Sequence, residues 1–235
     1  DEDVLKRTAI AYICSPANPQ GAVASRAYWQ TLLGLSEKYD FRVFADECYS
    51  EIYRSTPPVG ALEVAAEMGI DPERVLVFHS LSKRSNLPGL RSGFVAGDAE
   101  ILRRFLRYRT YPGCAMPNHH QVASIAAWND EEHVRANRAL YASKFDAVLD
   151  ILGEPLKVSA PDAGFYLWPK TPVDDETFAR RLKSEENVTV LPGRYLSRTV
   201  QGRNPGKNRV RMALVAELDQ CVEGAKRIRA LIERL

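Results

Sequence analysis

Residues 79–91 read His79-Ser80-Leu81-Ser82-Lys83-Arg84-Ser85-Asn86-Leu87-Pro88-Gly89-Leu90-Arg91, and the fold turns on how this stretch is read. An apolar run, Val75-Leu76-Val77-Phe78, leads into it, and a second, Gly93-Phe94-Val95-Ala96-Gly97, leaves it. Short continuous apolar runs are the pattern of strands covered on both faces, as in a parallel sheet. The stretch between them reads as a loop at a strand end, where open α/β sheets hold ligands. Serine hydroxyls and a guanidinium suit a phosphate, and a lysine freed of its proton attacks aldehydes. Alone, the stretch fits a polar surface loop with a solvated lysine equally well.

Upstream, Thr8 to Cys14 is a strand candidate without alternation, followed by the rigid turn Ser15-Pro16-Ala17-Asn18-Pro19-Gln20-Gly21. Ser25 is placed to cap a helix with Tyr28, Leu32, Leu35 and Tyr39 at helical spacing. Phe41 to Ala45 is the next strand and ends in Asp46-Glu47-Cys48-Tyr49. Strand, helix and strand in this order form a right-handed unit, which puts Asn18 and Asp46 at one edge of the sheet. A short helix over 61–68 and a break at Gly69-Ile70-Asp71-Pro72 complete the approach.

Downstream, Asp98 and Glu100 suit a helix start, and Arg103, Arg104, Arg107 and Arg109 suit its end. Helices are expected over 119–128 and 131–152, the second burying Tyr141, Phe145, Val148 and Leu152. Gly153-Glu154-Pro155 reads as a domain boundary, so residues 1–152 are assigned to a larger α/β domain and 153–235 to a smaller α+β domain. In the latter, strands are expected over 164–168, 188–191 and 209–213, helices over 174–185 and at the end, and a mobile loop over 201–207.

Hydrophobic residues are 45% and charged residues 26% of the 235, which bounds the chain to the class of soluble globular proteins. The formal charge is only +2, giving no electrostatic reason to expect nucleic acid or a membrane surface as partner. Four scattered cysteines without a C-x-x-C pair point to a reduced cytoplasmic setting. No stretch has transmembrane length and none reads as a signal peptide. The start, Asp1-Glu2-Asp3-Val4, lacks an initiator Met, and the chain is expected to be the later part of a longer one.

Together S-P-A-N-P-Q-G at 15–21, A-D-E-C-Y at 45–49, S-L-S-K-R-S-N-L-P-G-L-R-S-G at 80–93 and V-R-M-A-L at 210–214 resemble the aspartate-aminotransferase-like family of fold type I pyridoxal-phosphate enzymes. The four occur in the family's order, and the resemblance covers essentially the whole chain. It implies an α/β fold with a mostly parallel sheet flanked by helices, then a small α+β domain. It implies pyridoxal 5'-phosphate as cofactor, an amino acid and a 2-oxo acid as substrates, and a homodimer in the cytoplasm. Lys83 is then the residue that condenses with the cofactor aldehyde and carries the proton between substrate and cofactor. Asp46 matches the carboxylate that pairs with the pyridine nitrogen, and Asn18 and Tyr49 match the donors to the ring oxygen. Ser80 and Arg91 match the phosphate ligands, with Ser82 supporting Lys83. Arg211 matches the clamp on the substrate α-carboxylate, in preference to Arg209 two residues before it.

Other residues fit plainer roles. His119-His120 lacks a third ligand at metal spacing, and Cys48 lacks a histidine base nearby. The family's upstream half, with its glycine-containing phosphate loop and ring-stacking aromatic, has no counterpart here, while Tyr111 to Asn118 resembles the segment that reaches a neighbouring subunit's site. The run from Ser82 to Gly97 and Val190 to Leu196 are similar to proteobacterial succinyldiaminopimelate aminotransferases of lysine biosynthesis. The same resemblance leaves room for a C–S lyase, an aromatic or neutral amino acid aminotransferase, or a regulatory domain that shares the fold.

Overall fold

The computed structural model describes residues 1–70 and 74–235; of the expected break at 69–72, Asp71 and Pro72 lie outside the described residues. Contacts divide the chain into two compact units, the first made of 1–17, 22–137 and 162–164, the second of 18–21, 138–161 and 165–235. The division falls between Asn137 and Arg138, upstream of the change of pattern at Gly153.

The first unit holds helix α1 (Glu2–Leu5), strand β1 (Ile10–Cys14), α2 (Arg26–Tyr39), β2 (Arg42–Asp46), α3 (Ala61–Glu67), β3 (Val75–Ser80), α4 (Leu81–Arg84), β4 (Gly93–Gly97), α5 (Ala99–Thr110) and α6 (Asn118–Trp128). The sheet order is β1-β2-β3-β4, with the first three strands parallel and β4 antiparallel to β3. Cys14 is in register with Asp46, and Asp46 with Phe78, so β1, β2 and β3 release the chain at one edge. Trp29 and Leu33 of α2, with Val64 and Ala65 of α3, pack on Val43, Ala45, Val75 and Val77 as one buried cluster.

Two local readings change. Ser25 caps α2 as expected, accepting the Tyr28 N–H at 3.1 Å, but the buried stripe is Trp29, Leu33 and Ser36. The expected stripe lies on its flank, with Leu32, Leu35 and Tyr39 partly buried and Tyr28 47% exposed. Trp29 carries the largest apolar surface on this helix and takes the centre. The second change concerns 79–91, which is not one loop. Strand β3 runs on through Ser80, whose hydroxyl accepts the Ser82 N–H at 3.1 Å and starts the single turn α4. Pro88 then opens a 3-10 turn, and Arg91 takes the left-handed conformation at φ 52°.

Glycines explain how β4 fits. A Cβ on Gly93 would lie 2.4 Å from the His79 carbonyl oxygen, and one on Gly97, at φ 136°, 1.9 Å from that of Val75. Only glycine lets both ends of β4 approach β3 so closely.

Helix α7 (Glu132–Leu156) passes from the first set of residues to the second, which adds β5 (Tyr166–Leu167), α8 (Asp175–Glu186), β6 (Leu191–Pro192), β7 (Val210–Ala213) and α9 (Leu218–Ile232). The small sheet has the order β5-β7-β6 and is antiparallel. Phe145, Val148 and Leu152 of α7 pack with Leu167, Phe178, Leu182, Val210, Met212 and Ile228. Helix α7 outruns its expected end at Leu152 because Leu156 is also buried in this cluster, and Pro155 sits in the last turn, where few further hydrogen bonds depend on it. The strand expected over 188–191 shrinks to Leu191–Pro192. Asn187 ends α8 in the left-handed conformation, and the Val188 N–H returns to the Leu182 carbonyl at 3.0 Å instead of pairing in a sheet.

The loop over 201–207 is tied at its far end, where Asn204 Oδ1 accepts from Ser197 Oγ at 2.7 Å and from the Gly206 N–H at 2.9 Å. Nearby, fully buried Asp175 accepts from Arg194 Nε at 2.9 Å and from the backbone N–H groups of Arg194 and Asn208, both at 3.1 Å. Burial pushes the Asp175 carboxyl up, but the bonds from Arg194 outweigh it and hold it below the ordinary carboxylate range. A lowered folded pKa means stabilisation that is present above about pH 4 and is lost as pH falls through the folded value. Arg194→Met is therefore expected to lower unfolding free energy by about 3 kcal/mol at neutral pH, since it strands a buried carboxylate. Urea melts should show that gap, and show it narrowing below about pH 4; an unchanged denaturation midpoint would remove Arg194 from any stabilising role.

Candidate active site

In the first unit, the common edge of β1, β2 and β3 gathers five of the expected residues: Asp46, Tyr49, Ser80, Lys83 and Arg91. Asp46 closes β2, and its Oδ1 accepts the Cys48 N–H at 3.1 Å, which turns the chain sharply and buries Tyr49. Lys83 projects from α4, and its Nζ lies 5.7 Å from the centre of the Tyr49 ring. The Cys48 thiol reports on the same place. Burial pushes it up to about 12, the Asp46 carboxylate beside it and Cys14 add to the rise, and the positive charge of Lys83 opposes it. Cys48 therefore stays a thiol at neutral pH and is no nucleophile. The charges of Asp46 and Lys83 are thus both felt at the Cys48 thiol.

The Ser80 hydroxyl lies 2.9 Å from Ser82 Oγ and donates to the Ser92 carbonyl at 3.1 Å, so two serine hydroxyls stand together at the start of α4. Arg91 is exposed and folds back on its own turn, its Nη1 donating to the Pro88 carbonyl at 2.9 Å.

In the second unit, Arg211 of β7 donates from Nη1 to Asn18 Oδ1 at 3.0 Å and lies with its guanidinium carbon 4.6 Å from the centre of the Tyr166 ring. Arg209 donates to the Trp168 carbonyl at 2.8 Å. Arg209 precedes β7 and is engaged with the backbone of the neighbouring chain segment, while Arg211 rests on an aromatic face and an amide. That geometry suits Arg211 to a second, planar anionic partner such as a carboxylate. The sequence reading missed Tyr166 as its support. Strand alternation is the signal for it, since Leu167 points into the core and Tyr166 to the other side.

The residues of the first unit fit pyridoxal phosphate on chemical grounds. An amine within reach of an aromatic hydroxyl side chain, a carboxylate at the same strand edge and paired serine hydroxyls are the donors and acceptors that an aldehyde, a basic ring nitrogen and a phosphate need. Among the described residues, no group of three His, Cys, Asp or Glu is placed to hold a metal ion, and no helix is long and apolar enough to cross a membrane.

The pattern of the family described as aminotransferase class I and II matches residues 1–228. An aminotransferase structure from Neisseria meningitidis superposes with a TM-score of 0.93 at 51% identity, over 98% of this chain and 59% of that one. A probable N-succinyldiaminopimelate aminotransferase from Thermus thermophilus gives a TM-score of 0.85 at 32% identity, over 98% and 60%. An LL-diaminopimelate aminotransferase of Dehalococcoides mccartyi is 30% identical over 234 residues, 97% of this chain and 57% of that relative. The chain thus spans less than two thirds of each.

Proposed function

The chain belongs to the class I and II aminotransferases, and from that premise we propose that it serves a pyridoxal-phosphate-dependent transaminase, moving an amino group between an amino acid and a 2-oxo acid. The observation that carries this reading is Lys83 beside Tyr49 at the strand edge that ends in Asp46. Bound there, pyridoxal phosphate supplies an aldehyde carbon for an amine and a protonated ring that draws in electrons released at the substrate Cα. Lys83 would hold that carbon and then move the proton. Asp46 would keep the ring nitrogen protonated, Tyr49 and Asn18 would donate to the ring oxygen, and Ser80 and Arg91 would take the phosphate. Arg211 would hold the substrate carboxylate.

For substrate, the reading is N-succinyldiaminopimelate with 2-oxoglutarate, in lysine biosynthesis. Similarity to the probable N-succinyldiaminopimelate aminotransferase of Thermus and the LL-diaminopimelate aminotransferase of Dehalococcoides supports this class. We also propose a homodimer, supported by the apolar side chains that α5, α6 and the turn between them expose: Leu106, Tyr108, Tyr111, Val122 and Ile125.

The test has two parts. Treatment with pyridoxal phosphate and borohydride, then peptide mapping, should place the pyridoxyl group on Lys83; finding it on Lys38 or Lys207 would sink the assignment. Half-reactions with N-succinyl-LL-diaminopimelate, LL-diaminopimelate, phenylalanine and cystathionine should release the 2-oxo acid of the first. Pyruvate, ammonia and a thiol from cystathionine would identify a C–S lyase instead.

A further inference from the structure

Arg84 directly follows Lys83 on α4 and is only 7% exposed, although it carries a charge. Its Nη1 donates to the Ala127 carbonyl at 2.8 Å and to Ser85 Oγ at 3.2 Å, and its Nη2 pairs with the Glu131 carboxylate. The guanidinium carbon lies 5.0 Å from the centre of the Trp128 ring. Ala127 and Trp128 are the last two residues of α6, the end where carbonyl groups lack helical partners and the dipole is negative. A buried cation is costly unless paired, and this one is paired with the acid just beyond α6 and bonded to the end of that helix.

The other end of α4 is held independently. Leu81 is fully buried, and its N–H donates to the Ser92 carbonyl at 3.1 Å. Its carbonyl accepts from the N–H groups of Ser85 and Leu87 at 3.1 and 3.2 Å. A four-residue helix has one turn of hydrogen bonds and cannot hold a direction by itself. Lys83 therefore sits between two anchors, the Ser80–Leu81 end on β3 and β4, and Arg84 on α6.

We infer that Arg84 is a positioning residue for Lys83: its clamp on the C-terminal end of α6 and on Glu131 fixes the turn from which the amine reaches toward Tyr49 and Asp46. The inference rests on the reading of Lys83 as the cofactor-bearing amine. An arginine that served stability alone would change the melting of the protein but not the reactivity of Lys83 in the folded molecules.

The experiment measures how fast pyridoxal phosphate with borohydride labels Lys83 in the purified protein and in Arg84→Met, Arg84→Lys and Glu131→Gln. Exposed Lys38 in the same digest serves as internal reference, and urea midpoints are taken in parallel. Arg84→Met should slow labelling of Lys83 about tenfold and leave Lys38 unchanged, because a misdirected amine loses its orientational advantage. Arg84→Lys should recover part of the rate, since a point charge keeps the Glu131 pair but not the forked contacts. Glu131→Gln should slow Lys83 by about threefold, because the Ala127 bond and the Trp128 contact persist. If Arg84→Met does not fold, the other two variants decide by the same comparison. Unchanged labelling of Lys83 in the folded variants, with lowered urea midpoints, would overturn the inference and leave Arg84 a stabiliser. Labelling of the parent at a lysine other than Lys83 would instead overturn the reading on which the inference rests.

Discussion

Lys83→Ala is expected to lower the proposed transamination by about four orders of magnitude, the upper range for removing a positioned acid–base group, with loss of the nucleophile on top. The fold should survive, because α4 is anchored by Leu81 and Arg84 on either side of position 83. Lys83→Arg is the sharper variant. It keeps a long cation near the Tyr49 ring, yet a guanidinium never becomes a neutral nucleophile in this pH range. Both variants should therefore be equally inactive in single-turnover formation of the 2-oxo acid. Substantial turnover in Lys83→Arg would mean that positive charge, not a transferable proton pair, is what position 83 supplies.

Asp46→Asn is expected to reduce activity about a hundredfold, on the order of 3 kcal/mol of electrostatic stabilisation. The substitution is conservative where structure is concerned, since an amide oxygen can still accept the Cys48 N–H that closes the turn. What disappears is the charge that would keep a ring nitrogen protonated. A second readout follows without any cofactor. After burial, Asp46 is the next cause of the rise of the Cys48 thiol to about 12, so removing its charge should bring the thiol down part of the way. Titrating the thiol by its absorbance in both proteins checks the sign. Near-parental turnover would make Asp46 a turn residue only, whereas an unmoved Cys48 would show that the carboxylate and thiol do not share one site.

Much of this architecture was legible in the chain because its signals are local. Continuous apolar runs announce β1 to β4, Ser25 announces the start of α2, and Asp98 and Asp174 cap α5 and α8 through their own side chains. The motifs that carry Asp46, Tyr49, Ser80 and Lys83 sit at strand ends, and parallel pairing of β1, β2 and β3 brings such ends to one edge whatever lies between them. The strands of the second unit were less legible. A strand is completed by a partner, and Val188 and Val190 pack on the core beside α9 without one.

The sequence by itself therefore determined the fold class, the run of β1 to β4 with α2 and α3 between them, and that Asp46 and Lys83 stand at strand ends, since each depends on spacing within a few residues. Only the tertiary structure decided that β4 runs antiparallel, that Trp29 and not Tyr28 faces the core, and that Tyr166 lies under Arg211. Arg84 is the clearest case. In sequence it is one more charged residue beside a lysine, a type that is almost always solvated. It is buried because Ala127, Trp128 and Glu131, more than forty residues away, present a carbonyl, a ring and a carboxylate at its own depth. The electrostatic cost of burying a charge is settled by partners in space, and no local pattern encodes them.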